Sequence, residues 1–171
     1  RELLDRVGIG AGQIYLCGDG SLGLWEIFNE HLHLPHGAIS YARRSIPKPV
    51  RHGLALHWAD NGAKAARMLD ESGFEEVKFR NTHPIGIVTY TDQGCPLKVT
   101  LEGFSPFIPL NAKDSGLPVT LMLVTVENPT DRPIEAGTVS WLENPIGRKA
   151  HAEFYEGQRT NRVVADQNGG R

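Results

Sequence analysis

Leu97-Lys98-Val99-Thr100-Leu101-Glu102 alternates apolar and polar side chains without a break. In an extended backbone that pattern puts Leu97, Val99 and Leu101 on one face and Lys98, Thr100 and Glu102 on the other, the signature of a half-buried strand. Working outward, Val119 to Glu127 is longer and more apolar and reads as a central strand buried on both faces. It ends in the turn-rich Asn128-Pro129-Thr130-Asp131-Arg132-Pro133, and Ile134 to Glu143 reads as its hairpin partner. The same short runs between turn residues predict strands at Gly12–Cys17, Leu24–Phe28, His52–Trp58, Phe74–Arg80, Ile85–Thr91 and Ala150–Tyr155. One stretch departs from this pattern. Asp60 or Asn61 can cap, Ala63-Lys64-Ala65-Ala66-Arg67-Met68-Leu69 has high helix propensity, and Gly73 can terminate, so a short helix is expected over about residues 62–72. The fold class expected is therefore all-β, an antiparallel β-sandwich with one inserted short helix.

Composition agrees and removes several functions. The 171 residues are 40% apolar and 22% charged, as in an ordinary globular domain, and 19 glycines with 11 prolines imply many turns. Eighteen Lys plus Arg against 20 Asp plus Glu leave a formal charge of −2, a poor match for nucleic acid or an anionic membrane. No apolar run approaches the roughly 20 residues of a transmembrane helix. Two cysteines, Cys17 and Cys95, are one bridge or two free thiols. The chain opens on Arg1 and closes on Asn168-Gly169-Gly170-Arg171, which reads as a segment of something longer. The sandwich is expected over 1–156, with a polar tail or the start of a linker over 157–171. No compartment follows from any of this.

Candidate chemistry is thin. Gly8-Ile9-Gly10-Ala11-Gly12 has the wrong spacing for a dinucleotide loop, and a strand follows where a phosphate-binding helix should begin. His31, His33 and His36 are close enough to share a metal, but no Cys or carboxylate stands at ligand spacing beside them, so neither metal nor cofactor is expected. Glu26, Glu102, Asp114 and Glu143 could serve acid–base chemistry, yet nothing local brings two of them to the ~5 Å that a retaining glycosidase needs. There is no G-x-S-x-G elbow. Trp25, Trp58 and Trp141 fall in predicted strands; two of them exposed and coplanar, or one with Tyr41, would make a sugar-stacking platform, whereas burial would make them core.

Two segments are more specific than a pattern. One is the glycine cluster followed by Gly18-Asp19-Gly20 and Trp25-Glu26-Ile27-Phe28-Asn29. The other is Leu101-Glu102-Gly103-Phe104-Ser105-Pro106-Phe107-Ile108-Pro109-Leu110-Asn111, then Asp114-Ser115-Gly116-Leu117-Pro118-Val119. With Val126-Glu127-Asn128 and Trp141-Leu142-Glu143-Asn144, their order resembles the N-terminal domain of glycoside hydrolase family 116, the family of non-lysosomal glucosylceramidase, also called bile acid β-glucosidase. The resemblance runs from about Val7 to Asn144, and Ser-Pro-Phe-Ile-Pro-Leu-Asn is its most specific part.

That resemblance implies a non-catalytic β-sandwich that braces a C-terminal catalytic barrel of the same parent chain and helps wall the substrate entrance. The parent would be a retaining β-glucosidase acting on a β-glucoside or glucosylceramide, with its catalytic carboxylates in the barrel and none in this chain. The residues expected at the domain interface or substrate entrance are Gly8, Gly10, Gly12, Trp25, Asn29, His31, His33, Phe104, Phe107 and Ile108. A free-standing carbohydrate-binding sandwich is the alternative, and a small metal-dependent enzyme built on the three histidines is a third reading.

Overall fold

The computed structural model describes the backbone of residues 3–5 and all of residues 12–27 and 48–145. Ten strands fill this region in three antiparallel sheets. The first sheet is β1 (Leu3–Asp5), β2 (Gln13–Cys17) and β3 (Leu22–Glu26), in that order. The second is ordered β10-β4-β5, from β4 (His52–Asp60), β5 (Ala63–Met68) and β10 (Glu135–Leu142). The third is a four-stranded meander of β6 (Glu76–Thr82), β7 (Ile85–Thr91), β8 (Lys98–Phe104) and β9 (Leu121–Glu127). The fold is all-β, as the alternation implies.

Strand register explains the core. Across the meander, Val77 faces Tyr90, Tyr90 faces Val99 and Val99 faces Val126. One row along, Phe79, Val88, Leu101 and Val124 line up in the same way. These rows belong to one hydrophobic cluster with Leu54, Leu56 and Trp58 of β4, Leu16 of β2, and Leu22 and Trp25 of β3. Leu97, Val99 and Leu101 are all buried, as the opening hexapeptide requires. Gly103 continues their inward row, and its missing side chain admits Leu16: a Cβ there would lie 2.8 Å from a Leu16 methyl. The first sheet is tied to the meander a second time where the buried Tyr90 hydroxyl donates to the Asp19 carbonyl at 3.2 Å.

Three sequence expectations are corrected. Residues 62–72 do not form a helix: Ala63–Met68 is strand β5, paired with β4 from Asp60↔Ala63 to Ala55↔Met68. The reason is the two-residue turn Asn61-Gly62, with φ of 50° and 83°. Positive φ at both central positions is the tight hairpin turn that Asn-Gly favours, and it commits the alanine-rich run to pairing before propensity can act. Gly73 sits instead in a turn where Asp70 accepts from the backbone N–H groups of Ser72 and Gly73. Secondly, among the described residues β9 is not a central strand but the edge of its sheet, with Leu121 and Leu123 exposed. Thirdly, β10 is not its hairpin partner. The chain crosses between sheets at 128–134 and β10 pairs with β4, from Glu135↔Ala59 to Leu142↔His52. A helix that the pattern did not announce, α1 (Ala112–Ser115), follows β8.

Candidate functional site

The meander has an outer face of two halves. Toward one end the rows are polar: Lys78, Thr89, Thr100 and Thr125 lie side by side, and Lys98 stands opposite Glu127. Toward the other end they turn apolar, with Ile87, Glu102 and Leu123 in one row and Phe104 beside Leu121 in the next. The chain then leaves β8 and builds an apolar shoulder. Phe107 is 52% exposed and Ile108 48%, and Leu110, Leu117 and Val119 are exposed as well. Large apolar side chains are thus exposed together at one end of this sheet.

This shoulder is held in place from beneath. The Ser115 hydroxyl is buried; it accepts from the Ile108 backbone N–H at 2.9 Å and donates to the Ile108 carbonyl at 3.0 Å. Asn111 caps α1 by accepting from the Asp114 N–H at 3.1 Å, while its amide donates to the Asp114 carboxylate at 2.6 Å. Leu110 adopts a φ of 65°, which a leucine rarely takes and which turns its side chain fully outward. Phe107 meets the edge of the His83 ring at 6.3 Å between centroids. The segment is thus a pinned loop, and its apolar side chains are displayed rather than collapsed.

The remaining expected positions are distributed differently. Phe104 is half-buried at the root of the shoulder. Gly12 is exposed, with φ of 96°, and a Cβ there would come within 2.6 Å of the Glu26 carbonyl. Trp25 is only 4% exposed: its indole N–H donates to the Leu22 carbonyl at 3.3 Å and its ring lies against His52, so it serves the interior. Gly8, Gly10, Asn29, His31, His33 and His36 lie outside the described residues.

The carboxylates do not converge. Glu102 is half-buried between Ile87 and Leu123 on the outer face of the meander. Glu143 binds the Arg51 backbone N–H at 2.9 Å and its guanidinium at 3.3 Å, at the end of β10. Asp114 is engaged by Asn111. Among the described residues no group of three His, Cys, Asp or Glu side chains could hold a metal ion. Cys17 and Cys95 are buried free thiols, and burial pushes the Cys95 thiol above its ordinary range, away from nucleophilic chemistry. Nor do described tryptophans form a sugar platform, for Trp25 and Trp58 are in the core and Trp141 alone of the three is exposed.

Comparison with known families gives the chain a family. The family model described as beta-glucosidase 2, glycosyl-hydrolase family 116 N-term, matches residues 8–170. The chain belongs to that family. The match to this family-116 N-terminal domain spans both sides of the shoulder and reaches beyond β10 to Gly170. No curated protein matches the chain. In the described part of this family-116 domain, no helix is long and apolar enough to cross a membrane.

Proposed function

We propose that this chain is a non-catalytic bracing domain, which seats a catalytic barrel of the same parent protein on the shoulder formed by Phe104, Phe107, Ile108 and Leu110. The observation that carries this reading is the pinned exposure of Phe107 and Ile108. Ser115 and Asn111 hold the loop through partly buried hydrogen bonds while its apolar side chains stay in water, an arrangement that a covering partner would make favourable. Family membership supports the identity of the partner, because an N-terminal domain of a glycosyl-hydrolase family is followed by the part that performs hydrolysis. The parent would then be a β-glucosidase of the glucosylceramidase kind. It would act by two-step displacement with retention, and its nucleophile and acid/base carboxylates would lie in the barrel.

In this reading the shoulder acts by position. An apolar, preformed contact orders the partner at small entropic cost, since the loop is already fixed before docking. The test places Phe107→Asp and Ile108→Asp together in the full-length gene product and follows thermal inactivation of β-glucosidase activity. Faster inactivation, with an unchanged melting profile for the isolated sandwich, is the expected result. Full-length protein as durable as the parent would overturn the docking assignment.

A further inference from the structure

Ile108-Pro109-Leu110-Asn111 closes a tight turn. The Asn111 backbone N–H donates to the Ile108 carbonyl at 3.0 Å, with Pro109 and Leu110 at the two corners. Proline at the first corner and positive φ at the second is the type II arrangement, whose second corner belongs to glycine or asparagine. Leucine stands there instead, at a φ of 65°. In that region a Cβ is pressed toward the following carbonyl oxygen, a standing penalty that glycine would not carry.

Elsewhere the described chain takes positive φ at residues that suit it, or where the side chain is used inside. Gly12, Gly20, Gly62 and Asn61 are of the first kind, and the buried Leu24 is of the second. Leu110 is neither: its side chain is fully exposed, so packing on the described chain does not offset the strain. Phe107, by contrast, already packs on His83. The turn is nevertheless fixed on both sides of Leu110. The Ser115 hydroxyl bonds the backbone N–H and the carbonyl of Ile108, and the Asn111 side chain accepts from the Asp114 N–H. A strained residue persists where its surroundings over-determine it, and contact points with other molecules are among the places that keep one.

We propose that Leu110 is the anchor of the docking shoulder, a leucine held in glycine geometry so that it enters an apolar socket on the catalytic part of the parent chain. This rests on the docking reading above and adds to it what the partner must present. No residue of the Ile108–Asn111 turn is charged. The socket is therefore lined by aliphatic or aromatic side chains, with no ammonium or carboxylate at its floor, because either would be buried unpaired. A few side chains seated in pockets carry most of the energy of an interface, and the contacts around them exclude water. Leu110 is the seated side chain, and Phe107 and Ile108 are its surround.

Leu110→Gly tests this, because the isolated and the docked settings pull it in opposite directions. In the 171-residue chain it removes the backbone penalty and no packing, so the melting temperature should rise by about 1–3 °C. Leu110→Ala keeps the penalty and should melt within about 1 °C of the wild type. In the full-length gene product both variants leave the socket unfilled, and β-glucosidase activity should be lost on heating about tenfold faster. Phe107→Asp with Ile108→Asp, heated alongside, separates the two claims. If that double variant is short-lived while both Leu110 variants last as long as the wild type, the shoulder docks without this anchor, and the present proposal alone is overturned. If all three are as durable as the wild type, the docking reading falls and takes the anchor with it. A Leu110→Gly chain of 171 residues that melts below the wild type would also overturn the anchor, since the leucine would then be packed by its own chain.

Discussion

Replacing Tyr90 with Phe removes one oxygen atom from the place where the first sheet is fastened to the meander. Tyr90 is 1% exposed, its ring packs on Phe74 at 5.6 Å, and its hydroxyl donates to the Asp19 carbonyl in the β2–β3 turn. Burial, with Asp19 and Asp70 nearby, pushes the phenol above its ordinary range, so it remains a proton donor at any pH the fold survives. Losing that bond while keeping the ring should cost about 1 kcal/mol, the net worth of a buried neutral hydrogen bond. For a chain of this size the melting temperature should fall by about 2–4 °C. Tyr90→Ala removes the ring as well and should cost about 3–5 kcal/mol, or roughly 6–20 °C. Calorimetry of the full chain supplies both shifts. Amide exchange at Gly20 and Ser21 should show where the smaller one originates, because that turn is the segment released. A Tyr90→Phe protein that melts with the wild type, or one in which the β2–β3 turn exchanges no faster, would refute the claim that this hydroxyl fastens the two sheets.

The His52 imidazole should make the fold acid-sensitive: its Nδ1–H donates to the Val50 carbonyl at 3.2 Å and Nε2 accepts the Leu22 N–H at 2.6 Å, an arrangement only the neutral ring allows. Burial holds its pKa below the ordinary value. The stabilising contribution is therefore full above about 6.5 and drains away as pH falls from there toward the depressed folded value; urea titrations across that window should show a steeper loss for wild type than for His52→Gln. At the hairpin turn, Gly62→Ala meets no atom within 4 Å, so its expected cost of about 1–2 kcal/mol is purely that of a left-handed backbone, readable from the urea midpoint. On the shoulder, Ile108→Ser in the isolated chain should leave the melting temperature within about 1–2 °C, as for exposed sites, while lowering the fluorescence of an apolar-surface dye.

What the sequence disclosed depended on how local the cause was. Alternation in 97–102 and 85–91 is local, and both stretches are the inner strands of the meander. Apolarity in 119–127 was legible too, but not its meaning: a strand at the end of its sheet looks, residue by residue, like a central one. The β9-to-β10 link reads as a hairpin because its turn chemistry is strong, and only the register between Trp141 and Gly53 shows that the chain has changed sheets. The Ala63–Met68 error came from weighing seven helix formers above one dipeptide. Differences in propensity amount to a few tenths of a kcal/mol per residue, and Asn61-Gly62 with six paired residues outweighs them. At the candidate site, Phe104 to Leu110 announces itself as too apolar for a free loop. Ser115 does not, since a serine with both its bonds to one distant backbone residue carries no sequence mark.

Gly53 and Trp141 face each other across β4 and β10, and a Cβ at Gly53 would overlap the indole. Four rungs away Gly137 faces His57, whose ring would in turn meet any side chain placed on the glycine. β10 is exposed along most of its length, so burial of alternate side chains holds its alignment only weakly. The two glycines, one on each strand, work as a pair of sockets with an aromatic peg in each. Sliding β10 by two residues would keep its faces correct yet carry Trp141 off Gly53 and onto an alanine or a position beyond the strand. The alignment is thus keyed by two absent side chains, and filling either socket should let the strand settle out of step while every hydrophobic residue of the core remains in place.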